Sequence, residues 1–101
     1  MIRSVVVTGV GVCAANGTGV PSFWDALIHG TSGIGTITAF DAAQLRSRIA
    51  GEVTDFTPEK HVPARRLKRL ARFSQLALVA ALEALEQAGI AKGPERENVA
   101  L

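Results

Sequence analysis

Cysteine is almost missing from this sequence. Cys13 is the only one in 101 residues, so no internal disulfide can form and no paired-cysteine metal site exists. A reducing, cytoplasmic setting is the default expectation. Long apolar runs are also missing: none approaches the ~18–20 residues needed to span a bilayer, and no membrane association is expected. A secretory leader is not expected either, because the apolar stretch Val5–Val12 is broken by Thr8, Gly9 and Gly11. Eleven Lys and Arg against nine Asp and Glu leave a net charge of +2, too small an excess to imply nucleic acid. Internal repeats and low-complexity segments are absent. What is present is 48% hydrophobic and 20% charged residues, the composition of ordered globular protein, in a length that suits one small domain at most. Such a domain leaves a large share of its surface wet.

The chain opens on a continuous β-branched run. Val5-Val6-Val7 predicts a strand over Ser4–Thr8, buried on both faces. Gly9–Gly19 reads as loop. Pro21 suits the first turn of a helix that carries Phe23, Trp24, Ala26, Leu27 and Ile28 and stops at Gly30. Thr31–Gly35 reads as a polar connection. Short extended pieces are predicted around Ile37–Phe40 and Ile49–Val53, with a turn of helix over Asp41–Arg46 between them. Thr57-Pro58-Glu59 has the cap, proline and acid of a helix start, which Val62-Pro63 interrupts. A long helix is predicted over Phe73–Ala88, closed by Gly89, and Val99-Ala100-Leu101 reads as a strand beginning.

Gly9-Val10-Gly11-Val12-Cys13-Ala14 fits the letters G-x-G-x-x-A of a dinucleotide-binding turn. The context does not fit. Such a turn leads directly into a helix, and an acid for the ribose follows about 20 residues on. Here loop continues to Gly19, and Thr31-Ser32-Gly33 stands where the acid would be. The glycines read instead as permitting a tight exit from the first strand, with positive φ available where needed.

On a helical wheel, Phe73, Ala77, Ala80, Ala81, Ala84 and Ala88 fall on one side of the long helix, and Leu78, Leu82 and Leu85 on the adjoining side. Only a narrow strip carries Glu83, Glu86 and Gln87, with Leu76 and Val79 intruding. A helix this apolar is covered on more than one face, and its alanine side lets another backbone approach closely. A chain of this length can hardly bury both sides. The helix and the strand starting at Val99 lead to the expectation of an N-terminal piece of a longer protein.

Four stretches in series, "VVVTGVG", "FWDALIHGTSGIG", "FDAAQLRSRIAGEV" and "ARFSQLALVAALEALEQAGI", resemble the N-terminal quarter of a β-ketoacyl-[acyl-carrier-protein] synthase of the elongating, KAS II-like kind. The resemblance covers nearly the whole chain. It implies an α/β class, the thiolase-like fold layered αβαβα, with this chain as the incomplete N-terminal part of the first half. It places Ser4–Thr8 in the first sheet and Phe73–Ala88 in the shared helical layer. It implies a decarboxylating Claisen condensation, in which a cysteine thiolate takes an acyl chain from acyl carrier protein. Two histidines then act on malonyl-carrier protein. In that family the catalytic Cys and His lie beyond Leu101, so no catalytic residue is assigned here. No metal or resident cofactor is expected, because phosphopantetheine arrives on the carrier protein. The complete enzyme is expected to be a homodimer.

The residues present do not replace that machinery. Cys13 follows the first strand among Val and Ala and reads as a small core residue. His29 ends the first helix, where histidine often complements exposed carbonyls. His61 sits beside a helix break and reads as a surface residue.

One stretch does carry a functional signal. Lys60, Arg65, Arg66, Lys68, Arg69 and Arg72 place six positive charges in thirteen residues with no acid among them. Arg65, Lys68, Arg69 and Arg72 recur at helical spacing and share a face if the stretch is helical. Like charges on one face repel, so helix stability does not explain the pattern, whereas an acidic partner would. The resemblance implies that Arg65, Lys68 and Arg69 help dock the acidic acyl carrier protein. Arg66 and Arg72 fit less well, and Arg72 could pair internally. No aromatic residue interleaves with the charges as in nucleic-acid sites. An ordinary solvated basic face remains the plain alternative. The parent could instead be a type II polyketide ketosynthase or a non-catalytic chain-length-factor relative, which "FDAAQLRSRIAGEV" suits almost as well as fatty-acid synthesis, and a stand-alone non-enzymatic module is the remaining reading. Acyl-chain length preference is not legible in these residues.

Overall fold

The computed structural model of the protein describes residues 3–90. The chain divides into two compact units, one formed by Val12–Thr57 and the other by the segments on either side of it.

The Val12–Thr57 unit begins with a minimal antiparallel hairpin. Strand β1, Cys13–Ala14, pairs with β2, Gly17–Thr18, in the register Cys13 opposite Thr18 and Ala14 opposite Gly17. The stretch read as loop therefore contains a hairpin, closed further by the Gly19 N–H donating to the Val12 carbonyl at 2.9 Å. Helix α1, Val20–Ile28, follows at once, with Pro21 in its first turn where the missing N–H costs nothing. Gly30 at φ 66° ends it: the Gly30 N–H donates to the Leu27 carbonyl and the Thr31 N–H to the Ala26 carbonyl, the paired bonds of a Schellman motif.

Strands β3, Ile34–Thr36, and β4, Ile49–Gly51, form a second antiparallel pair, with Ile34 opposite Gly51 and Thr36 opposite Ile49. The first of these lies earlier than the predicted Ile37–Phe40 and begins inside the expected polar connection Thr31–Gly35. The reason is Glu52. Its carboxylate accepts the Thr38 N–H, the Ala39 N–H and the Thr38 hydroxyl, all within 3.0 Å, which removes those two amides from the ladder. Between the strands, Asp41 Oδ1 accepts the Ala43 N–H and the Ala42 carbonyl accepts the Leu45 N–H, a hydrogen-bonded turn in place of the expected turn of helix.

In the other unit a 3₁₀ turn, Pro58–Lys60, leads to the short helix α2, Ala64–Leu67, and then to α3, Arg72–Ala88. Helix α3 has the predicted extent to within one residue. Gly89 at φ 75° closes it through the Gly89 N–H to the Glu86 carbonyl and the Ile90 N–H to the Leu85 carbonyl, a second Schellman end. Val62, Leu67, Val79 and Leu85 are buried here, with Pro58.

The N-terminal glycines belong to this unit. A methyl group on Gly9 would overlap the Ala84 carbonyl oxygen, and one on Gly11 the Ala80 carbonyl oxygen. Between them the Val10 N–H donates to Gln87 Oε1 at 2.8 Å. The chain thus runs against the alanine face of α3 at backbone contact, as the pattern of small residues predicts. Neither glycine has a positive φ. Their purpose is close approach rather than a special turn.

The strand predicted over Ser4–Thr8 is not formed. Residues 3–12 pair with no strand, and Val5 is 95% exposed. A strand buried on both faces exists only with sheet neighbours, and no segment among the described residues supplies them. The strand expected at Val99–Leu101 falls outside the described residues.

Candidate functional site

The opening motif is answered by its surroundings. Gly11 leads into the β1–β2 hairpin, not a helix, so no helix N-terminus faces a phosphate there.

Cys13 is half-buried in β1, opposite Thr18. His29 caps α1: its Nδ1–H donates to the Asp25 carbonyl at 2.9 Å, with Asp25 Oδ1 3.3 Å away, the carbonyl-complementing role read for it. His61 is exposed in the turn after the 3₁₀ segment, as expected of a surface residue. Among the described residues no three His, Cys, Asp or Glu side chains come together as metal ligands. No helix there is long and apolar enough to cross a membrane.

An open cavity of about 260 Å³ in the Val12–Thr57 unit is walled by Ser32, Thr36, Thr38 and Thr54, with Glu52 its single charged lining residue. Glu52 already accepts three hydrogen bonds. The backbone N–H of Thr38, then that of Ala39, hold its carboxyl below the ordinary glutamate range. It is a clasp for the β3 exit.

The basic stretch is built differently from the predicted single face. Pro63 precedes α2, whose helical bonds run from Leu67 N–H to the Pro63 carbonyl and from Lys68 N–H to the Ala64 carbonyl. The chain then tightens: Arg69 N–H reaches the Arg66 carbonyl and Leu70 N–H the Leu67 carbonyl, both three-residue bonds. Ala71 is extended at ψ 160°, and α3 starts at Arg72. Arg65, Lys68 and Arg69 are therefore exposed on a single turn and its C-terminal end, with Leu67 buried beneath. Arg72 belongs to the next helix. Two features explain the break. Cations packed along one helical face repel. Gln75, one turn into α3, also satisfies carbonyls at the break: its Nε2 donates to Leu67 O, which it shares with the Leu70 N–H, and to Leu70 O, each at 3.2 Å.

Sequence reasoning missed Gln75 and Glu52. A lone amide or carboxylate at a half-exposed position looks like ordinary solvated surface, and only the fold shows which backbone groups it reaches. The arrangement is a mixed α/β segment with an exposed cluster of cations.

Comparison with known proteins gives the same class. Residues 2–100 match the model of the β-ketoacyl synthase N-terminal domain, and the chain belongs to that family. It is 45% identical, over 98% of its length and 24% of the relative's, to the tetracenomycin polyketide synthase ketoacyl synthase alpha subunit of Streptomyces glaucescens. It is equally 45% identical to the beta subunit of that synthase, over 93% of this chain and 22% of the subunit. A 3-oxoacyl-[acyl-carrier-protein] synthase I, chloroplastic, of Hordeum vulgare is 33% identical over 92% of this chain and 20% of its own. Among solved structures, the ishigamide ketosynthase/chain length factor superposes with a TM-score of 0.74 at 40% identity, covering 84% of this chain and 21% of that one. The fold is thiolase-like α/β, of which this chain is part of the N-terminal half. The chain spans a fifth to a quarter of the length of these relatives.

Proposed function

We propose that these residues form the N-terminal segment of a polyketide-type 3-oxoacyl-[acyl-carrier-protein] synthase. The complete enzyme performs a decarboxylating condensation of an enzyme-bound acyl group with malonyl-carrier protein. The carbon–carbon bond forms as carbon dioxide leaves, and a thiolate in the remainder of the enzyme is released from its thioester. This segment supplies core scaffold and part of the surface that receives the carrier protein. The observation that carries the docking role is the exposed, acid-free cluster Arg65, Lys68 and Arg69 on a single turn and its C-terminal end. Carrier proteins are acidic, and cations placed at the rim of a surface raise association rates with such partners. The higher identity to polyketide relatives than to the chloroplast enzyme supports the polyketide side of the family.

The equal identity to an alpha and a beta subunit supports a second reading, a chain-length-factor subunit that keeps the fold without the nucleophile. In either case the working assembly is a ketosynthase dimer, of like or unlike subunits. The test is the native polypeptide. Its mass should be several-fold that of the 10.6 kDa segment, and incubation with acyl-carrier protein should acylate one cysteine other than Cys13. A full-length chain that takes no acyl group would favour the chain-length-factor reading. A native product of 10.6 kDa would contradict both readings and leave a stand-alone module.

A further inference from the structure

One side chain, Gln75, ties the basic turn to α3. α2 is only four residues long, too short to keep its own geometry in water, since helices of about 12–15 residues are already marginal alone. Its last carbonyl, at Leu67, and that of Leu70 in the turn that follows both accept from Gln75 Nε2, each at 3.2 Å. The amide is part-buried, so water competes poorly for these carbonyls. Leu67 and Leu70 bracket Lys68 and Arg69, and Arg65 lies half a turn before Leu67. We propose that Gln75 is a positioning residue for carrier-protein docking. By tying the two carbonyls to the long, rigid α3, it fixes where Arg65, Lys68 and Arg69 present their charges.

This rests on the docking role proposed above. A preorganised cation cluster binds more tightly than a mobile one because less conformational freedom is lost on association. Gln75 is half-buried and spends its amide on the Leu67 and Leu70 carbonyls, so its proposed effect reaches docking through the turn.

The experiment uses the full-length enzyme with three variants. Gln75→Met keeps length and volume but removes both donors. Gln75→Lys keeps donors for the two carbonyls. The triple reversal Arg65→Glu, Lys68→Glu and Arg69→Glu tests docking itself. Gln75→Met should raise KM for malonyl-carrier protein about three- to ten-fold, the span of one or two neutral hydrogen bonds, with kcat unchanged. KM for a small malonyl thioester mimic should not move. Gln75→Lys should restore most of the carrier-protein KM. Amide hydrogen exchange over residues 64–71 should quicken in Gln75→Met relative to wild type, while residues 76–88 hold their rate. A Gln75→Met enzyme whose kcat falls, or whose mimic KM rises, by as much as its carrier-protein KM rises would overturn the proposal in favour of general structural support. Unchanged exchange over 64–71 would also overturn it, whatever the kinetics. If the triple reversal leaves carrier-protein KM untouched, the docking role fails. Quickened exchange in Gln75→Met would still show that the amide holds the turn, so the two failures are distinguishable.

Discussion

The two units of this chain are held together by different means. In the unit built on α2 and α3, order comes from burial: Val62, Leu67, Val79 and Leu85 leave water, and Gly9 and Gly11 admit backbone-to-backbone contact with α3. In the Val12–Thr57 unit the buried apolar residues are two alanines, Ala26 and Ala42, while Trp24 is 61% and Ile49 61% exposed. That unit keeps its shape through local hydrogen bonds: a two-residue-per-strand hairpin, a Schellman end at Gly30 and the Glu52 clasp. Local turn chemistry can therefore set a conformation without a core, and a core can be built around one helix whose face is nearly all alanine.

The sharpest way to break this contrast is at Gly11. Gly11→Val places branched carbon into the Ala80 carbonyl, a backbone atom that no rotamer change can avoid. The α3 unit should lose about 3 kcal/mol in urea unfolding. A loss under 1 kcal/mol would mean that the contact is loose. Next in size, Leu67→Ala should cost about 2 kcal/mol because Leu67 is buried, whereas Leu27→Ala on half-exposed α1 should stay within about 0.5 kcal/mol. Equal costs would erase the difference between the units. Gly30→Ala should cost about 1 kcal/mol, since φ 66° strains any residue with a Cβ.

The smallest effect concerns pH. The folded Glu52 carboxyl titrates below its unfolded value, so its contribution is present above the ordinary glutamate pKa of 4.5 and fades as pH falls through the lower folded value. Acid should loosen the Thr38 and Ala39 amides first, read by their hydrogen exchange, and Glu52→Gln should flatten that dependence. Amides indifferent to pH between neutrality and acid would contradict the clasp.

Helix α3 and its end at Gly89 were readable because a long periodic apolar segment with a terminal glycine has few alternatives. The alanine face correctly implied close backbone approach, though not that Gly9 and Gly11 make it. The α1 span and the carbonyl-capping role of His29 were also readable from nearest neighbours. The strand over Ser4–Thr8 was not, because two-sided burial of Val5–Val7 depends on partners far away in sequence. The shift of β3 to Ile34–Thr36 depended on Glu52, more than a dozen residues on. The basic cluster was visible as charge, but its geometry was not. A period of three and four suggested one helix, whereas repulsion and Gln75 end α2 at Leu67. Family membership was carried by four short stretches in series and is upheld by the match over residues 2–100.

The most direct test of the account is the kinetics of the Arg65→Glu, Lys68→Glu, Arg69→Glu enzyme on two substrates at low and high salt. The account predicts a KM for malonyl-carrier protein raised at least tenfold at low salt, about one factor of ten per 1.4 kcal/mol of lost attraction. That gap should narrow at high salt as charges are screened, and turnover of a small thioester mimic should stay unchanged. Equal losses on both substrates, or a carrier-protein KM indifferent to the reversal, would contradict it.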